Sequence, residues 1–207
     1  FKYNLKDGTL IKKYTLHHKD QAHLFNDVVV ATNGDVYVTD TISREIYRVR
    51  YDADRLERFY SFDGFVALNG IAISHDQNRI IFSDEGLGIL SLGLKAKDLK
   101  IIRARNRSGL IGIDGLYLYR NSLIAVQNGM GVARVRRFYL DPKGEEIIRS
   151  ETIDLDHPRY QIPTTGAIKG NTLYYIANSQ MFRFDKQNRI FPWDQLQYVM
   201  ILKYRLK

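Results

Sequence analysis

Four short steps, each a polar residue followed by glycine or aspartate, open apolar segments at nearly even intervals along the chain. They are Phe25-Asn26-Asp27-Val28, Leu68-Asn69-Gly70-Ile71, Ile113-Asp114-Gly115-Leu116 and Thr164-Thr165-Gly166-Ala167. With Asn26, Asn69, Asp114 and Thr165 taken as equivalent, the spacings are 43, 45 and 51 residues. A repeat of this length that holds several short strands predicts an all-β fold, a β-propeller with one blade per repeat. The same period predicts one rim carrying a circle of Asn, Asn, Asp and Thr around a central opening.

Each repeat reads as four strands. After Asn26, Val28-Val29-Val30-Ala31 is a continuous apolar run, as a strand buried on both faces requires. Thr32-Asn33-Gly34-Asp35 is a hairpin turn and Val36-Tyr37-Val38-Thr39 the return strand. Ile46-Tyr47-Arg48-Val49 and Arg55 to Phe59 supply the outer pair. In the last repeat the corresponding outer strands are expected at Met181-Phe182-Arg183-Phe184 and Val199-Met200-Ile201-Leu202, with one short turn at Asp194 to Gln197. The expected blades are 26–60, 69–105, 114–153 and 165–206. Residues 1–16, where Phe1 to Asn4 and Leu10 to Tyr14 flank a Lys6-Asp7-Gly8 turn, form half of another.

Four and a half blades leave a ring open. A bare face of roughly 500 Å2 forfeits up to ~12 kcal/mol of apolar burial, as much as the stability of an ordinary domain. The chain also lacks an initial Met. Both observations suggest a natural protein longer at its N-terminus by one and a half blades, about 60–70 residues at this period.

Composition excludes some alternatives. A hydrophobic share of 44% suffices for a core, and no apolar run is long enough for a membrane-spanning helix. Phe1-Lys2-Tyr3 does not begin a signal peptide, and zero Cys excludes disulfides and thiolate metal sites. The compartment stays open between cytoplasm and periplasm or secretion, and so does the oligomeric state. The net charge of +8 is carried partly by arginines that alternate with apolar residues, as at Arg48 and Arg50, and partly by clusters, Arg103 with Arg105 and Arg107, and Arg134 with Arg136 and Arg137. Alternation places such charges on a solvent face, and no RNP-like or aromatic stacking motif accompanies them, so no nucleic-acid partner is expected.

A second polar column, Asp40, Asp84, Asn128 and Asn178, falls at the ends of the return strands. Antiparallel hairpins put it on the same rim as the first. Turn chemistry explains the second column, because Asp and Asn bond their own backbone in tight connections. For the first column, turn chemistry and a ligand site both stand.

The steps around Asn26, Asn69 and Asp114, with Asn33-Gly34-Asp35-Val36-Tyr37-Val38-Thr39-Asp40, resemble the SMP-30/gluconolactonase/LRE-like family over essentially the whole chain. That family is similar in architecture to the calcium-dependent paraoxonases. The resemblance implies a six-bladed ring with one divalent cation in the channel, held by a first-blade Glu, an Asn and an Asp. By motif, Asn69 matches the ligand Asn, Asp114 the ligand Asp, and Asn26 the Asn lining the substrate pocket. The Glu has no counterpart, its blade falling in the expected missing segment. Oxygen ligands suit Ca2+, with Mg2+ or Mn2+ as alternatives. The implied activity is hydrolysis of a sugar lactone or related ester by metal-activated water, with Asp114 assisting proton transfer. His23 and His157 are the candidates for a helper base at the rim; His17, His18 and His75 read as loop residues. No Gly-x-Ser-x-Gly elbow or phosphate loop occurs. The competing function is a ligand-binding or scaffold propeller of the same family, without turnover.

Overall fold

The computed structural model describes residues 1–16, 21–105, 109–187 and 189–207; His17, His18 and Arg107 lie outside them. A two-stranded ribbon, β1 (Lys2–Tyr3) and β2 (Leu10–Lys12), precedes four antiparallel blades. The first holds β3 (Phe25–Val30), β4 (Val36–Asp40), β5 (Glu45–Val49) and β6 (Leu56–Ser61). The second holds β7 (Leu68–Ile73), β8 (Arg79–Asp84), β9 (Gly88–Gly93) and β10 (Leu99–Ile101). A short strand, β11 (Arg103–Ala104), then crosses to run parallel to the outer strand of the third blade. That blade is β12 (Ile113–Tyr119), β13 (Ser122–Gln127), β14 (Arg134–Leu140) and β15 (Glu146–Leu155). The fourth has three strands, β16 (Gly166–Lys169), β17 (Thr172–Ile176) and β18 (Ile201–Arg205). The fold is a β-propeller, as the repeat predicts.

The core lies between blades, which explains the unbroken apolar runs. On β8, Ile80 and Phe82 face the first blade, against Tyr37 and Ile46, while Ile81 faces the third, against Ile113 and Leu116. Ile124 and Val126 of β13 turn instead toward Leu173 and Tyr175 of the fourth blade. A strand with a core on each side cannot alternate polar and apolar residues. On the end blades, Val28, Val30, Tyr174 and Ile201 remain exposed.

The fourth blade departs from expectation. Its third strand is β18, paired directly with β17 from Thr172↔Arg205 to Ile176↔Ile201. Met181 to Phe184 forms no such strand; Phe184 makes an isolated bridge to Ile190, and a 3-10 turn at Trp193–Gln195 follows. Asn178 accounts for the choice. Its Oδ1 accepts from the Met200 N–H, its Nδ2 donates to the Tyr198 carbonyl at 3.0 Å, and the Ala177 N–H donates to the Met200 carbonyl at 2.9 Å. These bonds tie residues 198–200 to the end of β17.

Candidate functional site

The innermost strands β3, β7, β12 and β16 line a cavity of about 450 Å3. Three of them carry the same irregularity. Asn26 and Asp27 together oppose Thr39, Asn69 and Gly70 oppose Ser83, and Asp114 and Gly115 oppose Val126. Two residues facing one is a β-bulge, a device that re-aims side chains. Thr165 stands apart, lying just before β16, with its carbonyl accepting from the Ile176 N–H. The equivalence read from the sequence therefore holds in local geometry for Asn26, Asn69 and Asp114 but not for Thr165.

The hydroxyls opposite the bulges stitch one blade to the next. Thr39 Oγ1 accepts from the Asp27 N–H at 3.1 Å and donates to the Asn69 carbonyl at 2.6 Å. Ser83 Oγ donates to the Ile113 carbonyl at 3.0 Å. The inner strands approach so closely that a Cβ at Gly70 would collide with the Asp114 carbonyl. Glycine is required there by the neighbouring backbone.

Around this frame stands a group of oxygen-bearing side chains. Asp114 Oδ2 accepts from Asn128 Nδ2 at 2.7 Å, and that amide also donates to the Pro163 carbonyl at 2.7 Å. Burial raises the Asp114 pKa, and the Asn128 bond opposes the rise. Asp27 Oδ1 accepts from the Val28 N–H at 2.8 Å and Oδ2 from the Ile71 N–H at 3.2 Å. Burial pushes its pKa up to about 6; the two backbone bonds oppose this and the Asp114 charge adds to it. Glu85 is raised too, by burial first and then by the Asp84 and Asp114 charges, with the Gly112 backbone opposing the rise. Asn69 Oδ1 is buried with no hydrogen-bond partner. The Tyr117 hydroxyl meets Thr165 Oγ1 at 3.0 Å and the Gly166 N–H, and burial raises its pKa to about 12.

Asn26 sits elsewhere. Its side chain is exposed, with Nδ2 donating to Thr41 Oγ1 at 2.9 Å. The residue of that step that reaches inward is Asp27, which motif matching did not single out. The signal was present, because Asp27 occupies the position held by Gly70, Gly115 and Gly166 in the other three steps.

The second polar column is mostly turn chemistry. Asp40 accepts from the N–H groups of Leu24, Ile42 and Ser43, and Asp84 from those of Val66, Ala67, Gly86 and Leu87. Strand register aligns Gln127, not Asn128, with these aspartates, and Asn128 turns to Asp114 instead. Of the histidines, His23 Nδ1 lies 2.7 Å from Asp40 Oδ2, and its ring stacks on Phe25. His157 Nδ1 accepts from the Arg159 N–H at 3.1 Å, and His75 Nε2 donates to the Arg120 carbonyl at 2.8 Å.

Asp27 and Asp114 repel each other, and the Asn69 amide oxygen is buried without a donor; all three are oxygen groups of the kind a hard cation takes as ligands. Among the described residues, no three His, Cys, Asp or Glu side chains group closely enough to hold a metal ion. Any cation here would rely on amide oxygens as well as carboxylates.

No protein-family model matches the chain, and no curated protein matches its sequence. Solved structures do resemble it. Regucalcin, a calcium-binding protein from Agrobacterium tumefaciens strain C58, superposes with a TM-score of 0.62 at 15% identity, over 89% of this chain and 63% of that one. A nidogen/laminin complex gives a TM-score of 0.62 at 15% identity, over 75% and 57%. Virginiamycin B lyase from Staphylococcus aureus gives 0.59 at 17% identity, over 98% and 61%. The chain thus spans about three-fifths of the chains it resembles. At these identities the likeness shows the propeller fold and nothing finer. Among the described residues, no helix is long and apolar enough to cross a membrane.

Proposed function

We propose that the pocket around Asn69 and Asp114 binds a divalent cation, Ca2+ before Mg2+ or Mn2+, and that the protein hydrolyses a lactone or related ester there. The observation that carries the proposal is the buried, unpartnered Oδ1 of Asn69, next to a glycine that abuts the Asp114 backbone, together with the repulsion between Asp27 and Asp114. An amide oxygen left without a donor costs stability, and a cation removes both that cost and the carboxylate repulsion. The residues fit a hard ion held by Asn69 Oδ1 and the Asp114 carboxylate, with Asp27 as a further oxygen donor. The calcium-binding character in the name of the similar regucalcin supports the same choice.

A cation held by Asn69 and Asp114 would supply Lewis-acid polarisation of an ester carbonyl. The chain's own residues do the rest. Asn128 fixes the Asp114 carboxylate through Oδ2, so that it can take a proton from water. The inner-strand apolar residues Ile71, Leu116 and Ala167 line the cavity and limit water.

The test is hydrolysis of aldonolactones and aryl esters with calcium and with a chelator. The proposal expects calcium-dependent turnover that falls by about 10²-fold or more in Asp114→Asn. Chelator-insensitive turnover contradicts it. The second reading, a propeller that binds a small ligand without turnover, draws on the lack of three clustered acidic or histidine side chains among the described residues. Calcium binding with no hydrolysis of any lactone or ester would favour that reading.

A further inference from the structure

Several of the chain's cations are neutralised locally: Arg48 pairs with Glu57, Arg79 with Asp98 and Arg105 with Glu146. Arg134 and Arg136 differ. They stand two residues apart on β14, on the face that carries Phe138, with Gln127 and Ala125 opposite on β13 and Leu155 and Thr152 opposite on β15. Among the described residues their polar partners are neutral. Arg134 Nε donates to Gln127 Oε1 at 3.0 Å, and Arg136 Nη2 donates to Ser150 Oγ at 2.6 Å. The Arg136 guanidinium lies 4.9 Å from the Phe138 ring centroid, and its Nε is buried with no partner.

We infer that Arg134 and Arg136 form an oxyanion-binding subsite, taking a carboxylate or phosphoryl group of a small molecule between the second and third blades. A guanidinium presents several donors in one plane and matches an oxyanion with two parallel bonds. Arg136 has a donor unspent in the interior. Burial lowers its pKa and the neighbouring charge of Arg134 lowers it further, a cost that a bound anion removes. Thr152 and Leu155 beside the pair are exposed, and both arginines are half-buried. The subsite lies toward the rim of Asp114. Gln127, which anchors Arg134, pairs with Ile113, and its Nε2 donates to the carbonyls of Gly109 and Ile111. A substrate with an acidic group could therefore be gripped there, but the subsite does not depend on a cation at Asp114.

Thermal unfolding in EDTA, with inorganic phosphate or gluconate added against sodium chloride at equal ionic strength, tests the subsite. Either anion at roughly ten times its dissociation constant should raise Tm by about 3–6 °C beyond chloride. Arg136→Gln should abolish the excess, whereas Arg149→Gln, whose guanidinium lies over Tyr139 beside Glu151, should keep it. Arg134→Gln should weaken the response and serves if Arg136→Gln does not fold. A larger response to phosphate assigns a phosphoryl group, and a larger response to gluconate a carboxylate. No excess in the native protein, or an equal excess in both arginine variants, overturns the assignment. Because the measurement is made in EDTA, it stands or falls apart from the axial cation.

Discussion

Asp27 Oδ2 accepts a hydrogen bond from the Ile71 N–H at 3.2 Å, so a first-blade carboxylate is anchored on the innermost strand of the second. The bond places a negative charge in the channel near Asp114, in surroundings that disfavour it.

Asp27 should therefore make stability depend on pH in the direction opposite to most carboxylates. Its folded pKa, about 6, is above the usual 3.8. A raised pKa gives a contribution that is present in full below the unfolded value and is lost as pH rises through the folded one. At pH 8 the shift corresponds to an upper bound of about 3 kcal/mol against the fold. Asp27→Asn in EDTA should gain about 1–2 kcal/mol at pH 8 by urea unfolding, shrinking toward zero below about pH 3.5. A variant that is less stable than the native chain at pH 8 contradicts this.

Asp40 should behave in the opposite way. Burial alone would raise its pKa, but hydrogen bonds from Leu24, Ser43 and His23 outweigh burial and lower it. Its contribution is present above the unfolded carboxylate pKa and is lost as pH falls through the folded value. Asp40→Ala leaves the N–H groups of Leu24, Ile42 and Ser43 without their acceptor and should cost about 3 kcal/mol or more at pH 7. The difference from the native protein should narrow under acid, measured by urea midpoints at pH 7 and pH 3.

Phe82 is fully buried between the first and second blades, edge-on to Phe65 with ring centroids 5.6 Å apart. Phe82→Ala should cost about 3–5 kcal/mol, because that interface cannot collapse into the space left. Equilibrium denaturation that shows less than about 1 kcal/mol would mean the blades are not packed as described.

The blade pattern was legible because the polar step marks a bulge, and a bulge needs residues that tolerate close backbone approach. Gly70 shows this directly, with the Asp114 carbonyl where a Cβ would go. The inward turn of Asp27 was harder to read. In a bulge two neighbours face one residue, so alternation no longer says which of Asn26 and Asp27 points inward. Met181 to Phe184 misled because its apolar–basic alternation suits a strand. The pairing was decided instead by Asn178, through bonds to residues 20 and 22 positions later in the chain. Such tertiary choices leave no local trace. Arg136 illustrates the same limit, since a charge that alternates with Val135 belongs on a solvent face until the opposing strand half-buries it.

The central claim is that Asn69 and Asp114 hold a cation together. Isothermal titration of the chelator-stripped protein with calcium measures this most directly. Saturable binding of one ion, lost in both Asn69→Ala and Asp114→Asn, is the predicted result. Absence of binding, or binding that survives both substitutions, would contradict the account.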